Sequence, residues 1–114
     1  MSTLAFAVLI SVLPRVAIPP VIIQVQVRVA QDASNRLLSV VIDGPEYWSH
    51  VEGLDGADAR ILHSFKPLFT VCGMYSARAE VLRSDGTHRF ASTTFELQGC
   101  PESTTKSVDT RIYQ

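Results

Sequence analysis

The chain has 114 residues, enough for one domain with a single core and no obligatory metal. Apolar residues make up 46% and charged residues 18%, which places it among ordinary folded globular chains rather than disordered ones. The net charge of -1 gives no reason to expect nucleic acid or an anionic membrane surface as a partner.

Residues Leu4 to Leu13 form an apolar run broken by one serine. The run is too short for a bilayer span, which takes about 20 residues, and it has the length of a signal-peptide core, roughly 7–15 residues. No Lys or Arg precedes it, and Val16-Ala17 is a weak cleavage site with Arg15 badly placed. The alternative is a buried N-terminal strand or helix. Export is the favoured reading, with residues 1–20 as a signal-like segment and Pro-rich spacer, 21–100 as the folded domain and 101–114 as a flexible tail. Ile18-Pro19-Pro20 is a rigid extended spacer without helix potential.

From Val21 to Val29 the residues alternate. Val21, Ile23, Val25, Val27 and Val29 share one face, and Gln24, Gln26 and Arg28 the other. This is the pattern of a half-buried strand, and β-branched residues suit a pleated surface. The same strand is a candidate sheet edge for strand addition. After the polar turn Gln31–Asn35, a second strand runs from Arg36 to Asp43, with Leu38, Val40 and Ile42 toward the core, and Gly44-Pro45 ends it. Tyr47 and Trp48 point to opposite faces of an extended segment, so one anchors the core and the other meets water. Whichever faces water is the candidate ligand-binding residue, by stacking on sugar or by filling a protein hot spot.

Asp43, Glu46, Glu52, Asp55 and Asp58 fall in one stretch without Lys or Arg, either as solvated loops or as a surface for a cation or basic partner. Asp55-Gly56-Ala57-Asp58 lacks the ligand count of a calcium loop and reads as a turn. Ile61 to Phe65 is a short strand with Ile61, His63 and Phe65 on one face, stopped at Pro67. His63, on the apolar side, reads as a core-edge residue, and His88 as a solvated hairpin residue.

Gly73 to Leu97 holds the strongest signal in the chain. Two alternating runs meet at Ser84-Asp85-Gly86. A two-residue Asp-Gly loop would set Tyr75 opposite Glu96 and waste Phe95 and Leu97. A three-residue loop with Gly86 at positive φ sets Tyr75 opposite Phe95 and Ala77 opposite Thr93, joining the two apolar faces, and a shift of two residues, with Tyr75 opposite Leu97, keeps the same faces. Cys72 and Cys100 bracket this hairpin. In the favoured register they are offset by two residues, near the limit of disulfide geometry. They are either a disulfide or two free thiols, and export favours the disulfide.

Short strands separated by turn signals predict an all-β fold, an antiparallel sandwich or barrel, and the length after Pro20 fits an immunoglobulin-like β-sandwich of about seven strands. Gly73-Met74-Tyr75-Ser76-Ala77-Arg78-Ala79, followed by Ser84-Asp85-Gly86, resembles the penultimate strand and last turn of bacterial secreted immunoglobulin-like and fibronectin-III-like domains, and of sandwiches related to the carboxypeptidase regulatory family. The resemblance implies that Tyr75 is a corner tyrosine whose hydroxyl bonds back to the chain a few residues upstream, and that Trp48 is the core tryptophan of the third strand. Ala77 stands where an inter-sheet cysteine would be, so any bridge joins the ends of one hairpin instead.

No catalytic or metal signature is present. The histidines His50, His63 and His88 lack zinc spacing, Ser49 and His50 point apart in a strand, and there is no nucleophile elbow or phosphate loop. The expectation is a non-enzymatic exported module for protein interaction or cell-envelope structure, with no cofactor and no membrane span. The alternative is a small carbohydrate- or ligand-binding module using Tyr47 or Trp48. The identity of the protein or carbohydrate partner and the oligomeric state are not legible in the residues.

Overall fold

The computed structural model describes residues 7–101, so residues 1–6 of the signal-like segment and 102–114 of the tail lie outside the described part. The described chain is all β apart from one 3-10 turn at Gly56–Asp58. Its strands are β1 (Val8–Leu13), β2 (Val16–Ala17), β3 (Val21–Ile22), β4 (Gln24–Val29), β5 (Asn35–Asp43), β6 (Trp48–Gly53), β7 (Leu62–Phe65), β8 (Leu68–Phe69), β9 (Gly73–Arg83) and β10 (His88–Leu97). They form a five-stranded sheet in the order β2-β10-β9-β5-β6, a three-stranded sheet β1-β4-β7, and a two-stranded ladder β3-β8. All pairings are antiparallel except that of β2 with β10.

The hairpin β9–β10 has the register that its apolar faces demand. Tyr75 lies opposite Phe95 and Ala77 opposite Thr93. The loop is Ser84-Asp85-Gly86, closed by Arg83 N–H donating to the Thr87 carbonyl at 3.0 Å and by Gly86 N–H donating to the Arg83 carbonyl at 2.9 Å. Gly86 sits at φ 86°, in the left-handed region that costs a non-glycine residue about 1–2 kcal/mol. Tyr75, Ala77, Ala79 and Val81 are all buried, as are Phe95 and Leu97. On β5 the inward Leu38, Val40 and Ile42 are fully buried.

The two halves of the strand from Val21 to Val29 share one partner. Val21 pairs with Phe69 and Val25 with Phe65, in the same register, so β3–β8 continues the ladder of β4–β7. The break falls where Ile23 N–H donates to the Pro67 carbonyl at 2.9 Å, because proline has no N–H to complete the pair.

Two expectations are corrected here. The segment from Val21 to Val29 is not an edge over Gln24–Val29, because β4 is the middle strand of its sheet, flanked by β1 and β7, while β3 pairs only with β8. The sandwich also starts before Val21. Part of the run read as a leader is β1, with Val8 and Val12 buried and Ile10 half-buried against the core. Its alternation was hidden because the outward positions Leu9 and Leu13 are apolar as well. Past Pro14 the chain crosses to the other sheet as β2, where Glu96 N–H donates to the Arg15 carbonyl and Gln98 N–H to the Ala17 carbonyl, both at 2.9 Å. The N-terminal segment therefore ties the two layers together.

Candidate functional site

Cys72 and Cys100 form a disulfide with their Cα atoms 6.1 Å apart. The two-residue offset in the hairpin does not prevent it. The β9–β10 ladder ends at Gly73 and Leu97, so both cysteines lie beyond the paired region. Gly99, at φ 90°, turns the outgoing chain back toward Cys72.

Three residues after Cys72 comes Tyr75. Its hydroxyl donates to the Val71 carbonyl at 2.6 Å, four residues upstream. Glu46 clamps the same turn. Its carboxylate accepts from Thr70 N–H at 2.6 Å, Thr70 Oγ1 at 3.0 Å and Val71 N–H at 3.1 Å. The Thr70 backbone N–H is the main cause holding the Glu46 carboxyl below its ordinary value, against the opposing effect of burial. Glu46 thus holds the turn before β9. Gly44 allows this approach, since a Cβ there would lie 2.8 Å from the Met74 carbonyl oxygen and from the Tyr75 ring.

Tyr47 and Trp48 do point apart. Tyr47 is 65% exposed, whereas Trp48 is half-buried and packs against the core. Trp48 opens the edge strand β6 and packs against the core from its rim. It belongs to a cluster that closes one side of the sandwich between β6 and β7. Its ring centroid is 5.7 Å from Phe65 and 6.3 Å from His50, and His50 is 4.8 Å from Phe65. Tyr47 therefore offers one ring to solvent, without Trp48 as a second.

Below these rings, Glu52 links both histidines. His50 Nε2 lies 2.9 Å from Glu52 Oε1, and His63 Nδ1 lies 2.8 Å from Glu52 Oε2. The other nitrogen of His63 is 3.0 Å from the Arg60 carbonyl. The two ring nitrogens of His63 thus face a carboxylate and a backbone carbonyl. His63 is only 4% exposed, a position it can hold because its polar atoms are paired. Among the described residues, no group of three or more His, Cys, Asp or Glu side chains could hold a metal ion.

Burial pushes the Glu52 carboxyl up, but hydrogen bonds from His50 and His63 and their charges outweigh it, so the group lies below its ordinary value. A carboxylate depressed in the folded state stabilises the fold above the unfolded-state value and loses that contribution as pH falls through the folded one. Glu46, Asp32 and Asp85 shift in the same direction. Urea midpoints should therefore hold steady near neutrality and fall below about pH 4. Glu52→Gln should flatten part of that slope, and an acid slope unchanged by the substitution would count against the linkage.

The remaining feature is an edge. β1 pairs only with β4, and among the described residues nothing pairs with its outer side. Ala30 N–H donates to the Ala7 carbonyl at 3.0 Å, so by antiparallel alternation the odd positions of this segment bond toward β4. Val8, Ile10 and Val12 then turn their N–H and C=O groups to the open edge. The strand Val-Leu-Ile-Ser-Val-Leu has no charge and no proline, and Leu9 and Leu13 are 47% and 58% exposed on its outer face. The other edges are either very short or carry charge: β2, β3 and β8 have two residues each. β6 carries His50 and Glu52, β7 has four residues and is followed by Lys66, and β10 carries His88 and Arg89 and is partly covered by β2. Natural sheets blunt their edges with such charges, and β1 has none.

The scan against protein-family models and the search of curated proteins both return no match for this chain. Among the described residues no helix is long and apolar enough to cross a membrane.

Proposed function

We propose that the chain is a non-catalytic, immunoglobulin-like β-sandwich module that binds protein by accepting an added strand on the open edge of β1. The observation that carries this reading is the uncharged edge itself, where Val8, Ile10 and Val12 have no backbone partner among the described residues and Leu9 and Leu13 are exposed beside them. Strand addition takes its affinity from main-chain hydrogen bonds and its selectivity from alternate side chains. Glu52 is engaged by His50 and His63, and Glu46 by Thr70 and Val71, which favours a binding role over a catalytic one. The bridge between Cys72 and Cys100 supports an oxidising location, secreted, periplasmic or at the cell envelope. Export now rests on that bridge, since part of the apolar run serves as β1.

The test uses a lysine-flanked peptide of alternating threonine and valine as the added strand. In dilute protein, excess peptide should slow amide hydrogen exchange at Val8, Ile10 and Val12 and leave β5 unchanged. Tyr47→Ala should not alter the binding. Edge amides that exchange as freely with peptide as without it would overturn the reading, and loss of binding in Tyr47→Ala would shift it to aromatic contact.

A further inference from the structure

We infer that the strand received by β1 is β1 of a second copy of this chain, joined antiparallel about a two-fold axis at Ser11. The inference rests on the strand-addition reading above and names its partner. A two-fold interface places the same patch against itself, so the patch must be self-complementary. β1 meets that condition in charge, because Val8–Leu13 contains no charged residue to meet its own copy. The nearest cations on the outer face do not meet either. Arg28 stands beside Leu9 in the neighbouring strand, and Gln24 stands beside Leu13. Antiparallel pairing sends the Arg28 side chains of the two copies to opposite ends of the joined sheet.

Register follows from the pleat. Residues directly opposite must point to the same face, so inward positions pair with inward and outward with outward. Pairing about Ser11 sets Leu9 opposite Leu13 of the second copy and Ser11 opposite its own equivalent, while Ile10 meets Val12 on the core side. Both exposed leucines gain an apolar neighbour at once. Ile10 and Val12 are among the residues whose backbone groups face the open edge, and they would exchange about four hydrogen bonds across the axis, two for each pair. The product is one continuous six-stranded sheet, in which the edge of each copy no longer exists.

Sedimentation of the intact, oxidised protein tests this directly. The wild type should sediment at twice the monomer mass in the micromolar range and dissociate on dilution. The double variant Leu9→Lys/Leu13→Lys puts lysine opposite lysine in the joined sheet and should halve the mass. Its melting curve in dilute solution should match that of the wild type, since both side chains are exposed. Ser11→Cys supplies a second readout. Directly opposite residues in a non-hydrogen-bonded pair lie about 4.5 Å apart at Cα, within disulfide range. Mild oxidation should therefore give a covalent dimer through position 11, with Cys72 and Cys100 still bridged in the peptide map. A wild type that stays monomeric into the millimolar range would overturn the inference. So would a dimer that survives the double lysine substitution. A monomer that still takes up the threonine–valine peptide on β1 would refute self-pairing while leaving strand addition intact. A monomer that ignores the peptide would refute both.

Discussion

Replacing Phe95 with alanine is expected to destabilise the fold by roughly 3–5 kcal/mol, the range for truncating a buried aromatic ring. Phe95 is 2% exposed. Its ring stacks on Tyr75, with centroids 4.9 Å apart and planes 1° from parallel, and meets Phe69 at 5.7 Å. Phe69 and Tyr75 meet at 4.9 Å, so the three rings form a closed group between the sheets. Removal of one ring leaves a cavity, and the covalently clipped hairpin beside it limits how far the walls can collapse. A domain of this size has about 5–15 kcal/mol in total, so the variant should be partly unfolded under mild conditions. The control is Phe90→Ala on the same strand. Phe90 is 60% exposed on the opposite face, with the Arg78 guanidinium 4.3 Å above its ring, and its loss should cost less than about 1 kcal/mol. Urea denaturation of both variants decides the matter. Equal losses would mean that the two faces of β10 are wrongly assigned.

Opening the disulfide is expected to cost about 3.5 kcal/mol, by the loop-entropy relation for a closed loop of this size. The cysteines are 28 residues apart, and the loop they close is the hairpin that carries Tyr75 and Phe95. The bridge acts on the unfolded chain by holding the two ends of the longest ladder together. Cys72→Ser with Cys100→Ser, or reduction of the wild type, should lower the denaturation midpoint by the same amount. The native register should persist, because the apolar faces impose it without the bridge. A loss below about 1 kcal/mol would show that the unfolded chain already keeps these ends close.

The hairpin was legible in the sequence for a physical reason. Its register depends on neighbours within 25 residues, and a slip of one position would expose Phe95 and Leu97 together. The same holds for β5, where Leu38, Val40 and Ile42 alternate with polar or half-exposed positions. The split between Tyr47 and Trp48 followed from the geometry of any extended dipeptide. Other features had no local signature. Glu46 reads as one acid among five, and its clamp on Thr70 and Val71 exists because a distant segment folds over it. Glu52 and His63 are 11 residues apart and on different sheets, and only the packing of β6 against β7 brings them together.

The chain's own alternation settled which side chains are inside, since burial on a pleated strand is decided residue by residue with a period of two. Which strand lies beside which, and which is left at an edge, was settled by the tertiary structure alone. Val21–Val29 looked like an edge because its polar face is plain in the sequence, yet over Gln24–Val29 β1 and β7 take both its sides. Val8–Leu13 looked like a leader because its outward leucines mask its period, yet it is a strand whose outer side is unpaired among the described residues. Backbone pairing is non-local and nearly blind to side-chain identity. Neighbours are therefore assigned by competition among all the strands at once, and no single stretch of residues records the outcome.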